Sequence, residues 1–197
     1  MNVKDWPLHS VIYTLSSLLF LFSHPLIAAT LVNITVDDSG PDPITGARIA
    51  YSPSDAWSFG QDCTACTARP DPAQAFMRTW HDGTFNAVPG TTNDPNVVLN
   101  ATFSFESFFV AGSAIYVYCI LAHTSVSPDG NSDITFLIDG EAVGSFFQAP
   151  NNATNYGFNV PVYTNASIPS GNHTFTLQNG HVDGPKSLVL LDYIVYT

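Results

Sequence analysis

Residues 97–109 read VVLNATFSFESFF, and residues 114–121 read AIYVYCIL. In the first stretch Phe103 and Phe105 fall on one side of an extended chain, with Ser104 and Glu106 on the other. That period of two marks a strand with one buried face. The second stretch is an unbroken run of β-branched and aromatic residues, the pattern of a strand buried on both faces. Outward from this pair the chain repeats the theme. Residues 31–36 (LVNITV) alternate and then meet the turn-forming stretch 37–43. Residues 48–52 and 74–81 (QAFMRTWH) read as strands, the latter leading into a turn at Asp82-Gly83-Thr84. Residues 54–72 and 86–96 read as loops. Residues 133–139 and 142–147 flank Gly140-Glu141, two strands around Asp-Gly that read as a hairpin signal. Residues 156–164 form a further strand in which Pro161 marks an edge or a bulge. After a turn at 168–172, residues 173–177 and 188–196 complete the set. No segment carries a sustained helical period with caps. Many short strands separated by Gly, Pro and Asn turns predict a single all-β domain, a sandwich or barrel.

The charge balance narrows function. The chain has 5 basic and 16 acidic residues, for a formal net charge of −11 over 197 residues. Phosphate neutralisation needs Lys and Arg, so a nucleic-acid partner is not expected, nor is electrostatic docking on anionic lipid. Charged residues make up 11% of the sequence, against roughly 25% in ordinary globular chains, while 45% is hydrophobic. Solubility must come from neutral polar groups, from the acidic excess, or from attached sugar.

Both ends of that argument point to secretion. Lys4 precedes an apolar run over 11–22, then Pro25 and the small residues Ala28-Ala29, the order of a signal-peptide helix cleaved after Ala29. The domain expected is 30–197, with no stable membrane span in the mature chain. Five N-x-[ST] sequons follow, at Asn33, Asn100, Asn152, Asn165 and Asn172. In an oxidising compartment the simplest disulfide joins Cys63 and Cys66, leaving Cys119 as a buried thiol; pairing of Cys66 with Cys119 stays open from spacing alone. The loop-like flanks of C-x-x-C favour a staple over a redox centre.

Across nearly all of 31–197 the sequence resembles a large and mostly uncharacterised set of extracellular proteins of basidiomycete fungi. The residues that carry the resemblance are Val36-Asp37-Asp38, Tyr51-Ser52, Trp57, Cys63-Thr64-Ala65-Cys66, Thr79-Trp80-His81-Asp82, Ile115 to Cys119, Thr135 to Gly140, Gly171 to Thr174 and Leu191 to Tyr196. It implies a galactose-binding-like jelly-roll β-sandwich, a fold that hosts many carbohydrate-binding modules. Many members of the set continue into a stalk, a membrane helix and a cytoplasmic tail. This sequence departs from that pattern by stopping at the ectodomain, which reads as either a secreted member of the set or a truncated one. In such modules an acid near the first strand and the Asp of a terminal Asp-Tyr-Ile strand meet at a structural calcium, which nominates Asp37, Asp38 and Asp192 as ligands. The competing reading makes them turn formers and acceptors for loop amides.

Sugar recognition needs an aromatic face with polar groups around it. Trp57, in loop-like sequence, and Trp80, beside His81 and Asp82, are the candidates, with Tyr51 and Tyr156 behind them; core packing competes for both tryptophans. For hydrolysis two carboxylates must face one another, and Asp82 with Glu106 is the pair to name, although nothing in the sequence positions them. Gly-x-Ser-x-Gly is absent, and His81, His123, His173 and His181 lack metal-ligand spacing. The expected function is therefore non-catalytic glycan binding in the extracellular space or cell wall, with a polysaccharide or glycan as partner. A structural or protein-interaction ectodomain and a glycan-active hydrolase are the alternatives.

Overall fold

The computed structural model describes residues 32–86, 97–107 and 113–197. The expected leader over 1–29, most of the expected loop 86–96 and the end of the expected strand at 108–109 lie outside them. Eleven strands form in chain order: β1 (Ile34–Asp37), β2 (Ala50–Ser52), β3 (Trp57–Phe59), β4 (His81–Phe85), β5 (Leu99–Ser107), β6 (Ser113–Ala122), β7 (Ser132–Ile138), β8 (Glu141–Gln148), β9 (Tyr156–Ile168), β10 (Gly171–Asn179) and β11 (Ser187–Tyr196).

The strands assemble into two antiparallel sheets. One has the order β3-β4-β11-β6-β9, with β1 added along β11; the other runs β2-β5-β10-β7-β8. From β4 to β11 the chain fills β4-β11-β6-β9 in one layer and β5-β10-β7-β8 in the other, the strand order of an eight-stranded jelly roll. The core between the layers takes the alternate residues that the period of two assigned inward: Phe103 and Phe105 from β5, Ile115, Val117 and Cys119 from β6, Phe175 and Leu177 from β10, and Val189, Leu191, Ile194 and Tyr196 from β11.

Local chemistry sets the boundaries. The β7–β8 hairpin turns at Asp139 and Gly140, whose φ angles of 54° and 86° match the left-handed pair that such a turn requires. Pro161 sits on β9, an edge strand, where the β6–β9 register slips between Val117 and Tyr118, so the edge and bulge readings both hold. The Cys63–Cys66 disulfide is formed, with Cα atoms 5.4 Å apart, and Cys119 is a buried free thiol.

Three expectations are corrected. Of the expected strand 74–81 only His81, which opens β4, is extended in a sheet: Pro72–Gln74 and Phe76–Arg78 are short 3-10 turns, Met77 and Arg78 have positive φ, and Asp71 accepts from the Ala73 N–H at the start. The apolar composition there serves packing of a loop, not alternation. Asp82-Gly83-Thr84, read as a turn, instead lies within β4, paired with both β3 and β11. Its glycine is required because the Trp57 ring lies over the backbone, where a Cβ on Gly83 would come within 2.7 Å of it. Finally, β3 itself is hidden inside the expected cysteine loop as only three residues.

Candidate functional site

The outer face of the β4-β11-β6-β9 sheet has two halves. On β6 the outward positions are Tyr116, Tyr118, Ile120 and Ala122; on β11 they are Leu188 and Leu190, then Tyr193 and Val195. The switch between the two β11 sets is a bulge at Asp192, where the β6–β11 register shifts between Leu191 and Tyr193. A bulge inserts one extra residue and re-aims its neighbours. Without it, Tyr193 would point into the core and Ile194 outward.

The first half of this face is covered. Ala68, Ala75 and Trp80 from the segment before β4 pack on Ile120, Ala122, Leu188 and Leu190. Trp80 is 2% exposed. Gly60 lies so close over the indole that a Cβ there would sit 1.8 Å from its Nε1. Trp57, 7% exposed, belongs to the core between the sheets. Neither indole presents a face to solvent, which corrects the expectation of tryptophan stacking surfaces. His81 is buried as well. Its ring stacks on Tyr51 with centroids 3.8 Å apart, so Tyr51 is also committed to packing. The Tyr156 hydroxyl accepts the Arg69 backbone N–H at 2.7 Å.

The second half is open. Tyr116, Tyr118, Tyr193, Val195, Phe76, Thr35 and Asn33 line a groove of about 360 Å³, at the lower end of the volumes typical for small-molecule sites. The Tyr118 and Tyr193 rings stack with centroids 4.5 Å apart and planes 13° from parallel. Phe76 leans on Tyr193 from the covered side at 4.9 Å. All four rings are half-buried. Tyrosine offers an apolar body and a polar tip, so the groove combines ring surface with phenolic hydroxyls. The Tyr193 hydroxyl donates to Asn159 Oδ1 at 3.3 Å. Burial first, then Tyr118 and Asp192, raises its pKa above the ordinary tyrosine value. Tyr116 and Tyr118 were legible as outward residues, since they alternate with Ile115 and Val117. Reading aromatic residues as simply apolar concealed them.

At the seam between the halves the three nominated carboxylates do come together. The Thr79 hydroxyl donates to Asp38 Oδ1 at 2.6 Å and lies 3.1 and 3.2 Å from the two oxygens of Asp37. His81 Nδ1 pairs with Asp38 Oδ2 at 2.6 Å. The Phe76 N–H donates to Asp192 Oδ1 at 2.9 Å, and the Asp38 N–H donates to the Asp192 carbonyl at 3.1 Å. The Ser39 hydroxyl donates to Asp37 Oδ2 at 2.8 Å. Of these carboxylate oxygens, Asp192 Oδ2 alone is buried without a partner. Calcium takes six to eight oxygens. Here two hydroxyls, an imidazole and an amide hydrogen-bond to the cluster, and no group of three or more His, Cys, Asp or Glu among the described residues is placed to hold a metal ion. The hydrogen bonds that Asp37, Asp38 and Asp192 accept match the acceptor reading. Burial raises the pKa of Asp38; burial, with Asp38 and Asp37 nearby, pushes Asp192 up to about 7.

Asp82 faces the opposite way from its neighbour His81. It lines a recess with Asp55, Ser58, Thr84 and the cysteine loop, and burial pushes it up to about 6, with Arg69 pulling the other way. Glu106 stands exposed on β5, on the outer face of the other sheet. The fold therefore separates Asp82 from Glu106, and the carboxylate pair expected for hydrolysis is not assembled. Among the sequon asparagines, Asn33, Asn152 and Asn172 are exposed, while Asn100 and Asn165 are half-buried. Among the described residues no helix is long and apolar enough to cross a membrane.

No family model and no curated protein matches the sequence. Solved structures do resemble the chain. A family 35 carbohydrate-binding module from Clostridium thermocellum is 12% identical with a TM-score of 0.44, covering 84% of this chain and 98% of that one. A family 35 module from Cellvibrio japonicus is 9% identical with a TM-score of 0.45, covering 84% and 93%. The Podospora anserina β-(1,4)-mannanase that carries such a module is 17% identical with a TM-score of 0.43; the match covers 84% of this chain and 27% of the enzyme. These are distant likenesses, and the jelly-roll assignment stands on the strand order itself.

Proposed function

We propose that the chain is a secreted, non-catalytic glycan-binding domain of the extracellular space or fungal cell wall, with the tyrosine groove as its site. The observation that supports this reading is the row of half-buried rings, Phe76, Tyr193, Tyr118 and Tyr116, on a sheet face whose other half is fully covered. Pyranose rings present C–H faces that pack on aromatic surface and hydroxyls that bond to phenols. A rigid sheet holds these rings in place before any ligand arrives, which limits the ordering cost of binding.

The test is a glycan array spanning fungal and plant wall polysaccharides, probed with the enzymatically deglycosylated mature domain. Selective binding that is lost in Tyr118→Ala and Tyr193→Ala, with cooperative unfolding retained, supports the groove. Binding untouched by both substitutions moves the site elsewhere. A blank array removes the glycan reading and favours an interaction ectodomain, for which the exposed Val143 and Phe147 on the edge strand β8 would be the contact to examine.

A further inference from the structure

The groove contains its own glycosylation signal. Asn33 and Thr35, the two working positions of the sequon Asn33-Ile34-Thr35, both line it beside Tyr116, Tyr118 and Tyr193. Alternation along β1 explains this. Val36 is fully buried in the core, so Thr35 falls on the outer face; there it lies opposite Val195 in the β1–β11 ladder. Asn33, two positions earlier, follows it onto the same side and is exposed. The other exposed sequon asparagines are placed differently: Asn152 lies in the β8–β9 connection, and Asn172 lines a recess on the opposite sheet with Phe105 and His173.

We infer that the first occupant of the tyrosine groove is the chain's own N-linked glycan at Asn33, whose core N-acetylglucosamine residues lie along Tyr118 and Tyr116 and cover the site against external sugars. An N-linked sugar is bulky and leaves from the asparagine side-chain nitrogen. Attached at the rim, it is presented to the rings at the high effective concentration of a tethered ligand. An external glycan must then displace it, so occupancy at Asn33 sets the affinity that the domain shows to others. This deepens the reading above and rests on the groove being a surface that takes a pyranose.

The experiment uses the chain secreted from a eukaryotic host with 13C-labelled glycans. Peptide mass spectrometry gives occupancy at Asn33, and Asn33→Gln identifies the signals of its sugar. The expected result is an occupied Asn33 whose N-acetylglucosamine protons are shifted upfield of those on Asn152 and Asn172 by the tyrosine ring currents. That shift collapses in Tyr118→Ala and in Tyr118→Leu, the second variant keeping apolar bulk without the ring. Removal of the Asn33 glycan strengthens binding of array-positive glycans several-fold. An unoccupied Asn33, or sugar signals that match those on Asn152 and Asn172, overturns the inference. The two readings separate cleanly. A ring-current shift with a blank array leaves the inference standing and removes external glycan binding. Array binding through Tyr118 without the shift does the reverse.

Discussion

The two halves of one sheet face use the same strands, β6 and β11, for opposite ends. Ile120, Ala122, Leu188 and Leu190 are roofed by Trp80 and its loop. Tyr116, Tyr118, Tyr193 and Val195 are left as an open groove. The larger aromatic is on the closed side. Residue type alone ranks tryptophan first as a sugar-stacking group; position reverses the ranking, because Trp80 has a glycine pressed over it and the tyrosines do not. What separates the halves is the bulge at Asp192, whose carboxylate also takes the Phe76 N–H that ends the roof.

Substitutions at Trp80, Tyr118 and Asp192 test this contrast. Trp80→Ala should lower unfolding free energy by about 3–5 kcal/mol, as large core truncations do, read by denaturant unfolding. Trp80→Phe should cost far less, since the indole Nε1 is buried without a partner and loses no hydrogen bond. If Trp80→Ala were mild, the roof would not be a core.

On the open side, Tyr118→Ala should cost only about 1–2 kcal/mol of stability, the scale for a partly exposed ring, while removing glycan retention in affinity electrophoresis. A stability loss as large as that of Trp80→Ala would erase the distinction between the halves.

At the seam, Asp192 has its folded pKa raised to about 7 from the ordinary 3.8. Its contribution to stability is full below about pH 4 and is lost as pH rises through 7. Asp192→Asn keeps an acceptor for the Phe76 N–H and removes the charge. The variant should flatten part of the decline in melting temperature between pH 4 and 8 and be the more stable protein at pH 8. Asp38 and Asp82, also raised by burial, add to the slope in the same direction. A slope unchanged by Asp192→Asn would show the carboxylate to be hydrated.

The smallest effect is expected far from this face. His173 Nδ1 pairs with Asp139 Oδ2 at 2.7 Å, and its Nε2 donates to the Pro169 carbonyl at 2.9 Å. The Asp139 hydrogen bond raises the His173 pKa. The Thr174 N–H, then His173, lower that of Asp139. The pair contributes above about pH 4, where the Asp is charged in both states, and fades above about 6.5 as the imidazolium loses its proton. Because Asp139 is half-exposed, Asp139→Asn should cost only about 0.2–1 kcal/mol at pH 5–6 and less at pH 8, measured by thermal unfolding.

The sequence was informative wherever a local rule acted alone. Alternation in β5, the Asp139-Gly140 turn and the Cys63–Cys66 staple all stand as read. It was misleading where packing between distant segments decided. Gly83 looks like a turn residue until Trp57 is seen across the ladder. Residues 74–81 look like a strand until Asp192, more than a hundred residues later, is seen holding the Phe76 amide. The carboxylates Asp37, Asp38 and Asp192 were correctly grouped, yet their chemistry depended on Thr79 and His81, which no spacing rule attaches to them. The groove was missed because β6 reads as buried on both faces when tyrosine is counted with isoleucine.

The pairing of β1 with β11 also gives the domain a mechanical character. Ile34 lies opposite Tyr196, and Asp37 lies opposite Tyr193. Chain leading into β1 and chain leading out of β11 therefore meet at the same end of one antiparallel ladder. Tension applied between those two points would load the ladder rung by rung and peel β1 away as a zip, at low force, instead of shearing all its hydrogen bonds at once. The first rungs to open carry Thr35 and the approach to Asn33; the last carries Asp37. Such a pull would dismantle one wall of the groove before it reached the acidic seam, so a sugar held there would be released under load while the jelly roll behind it stayed folded.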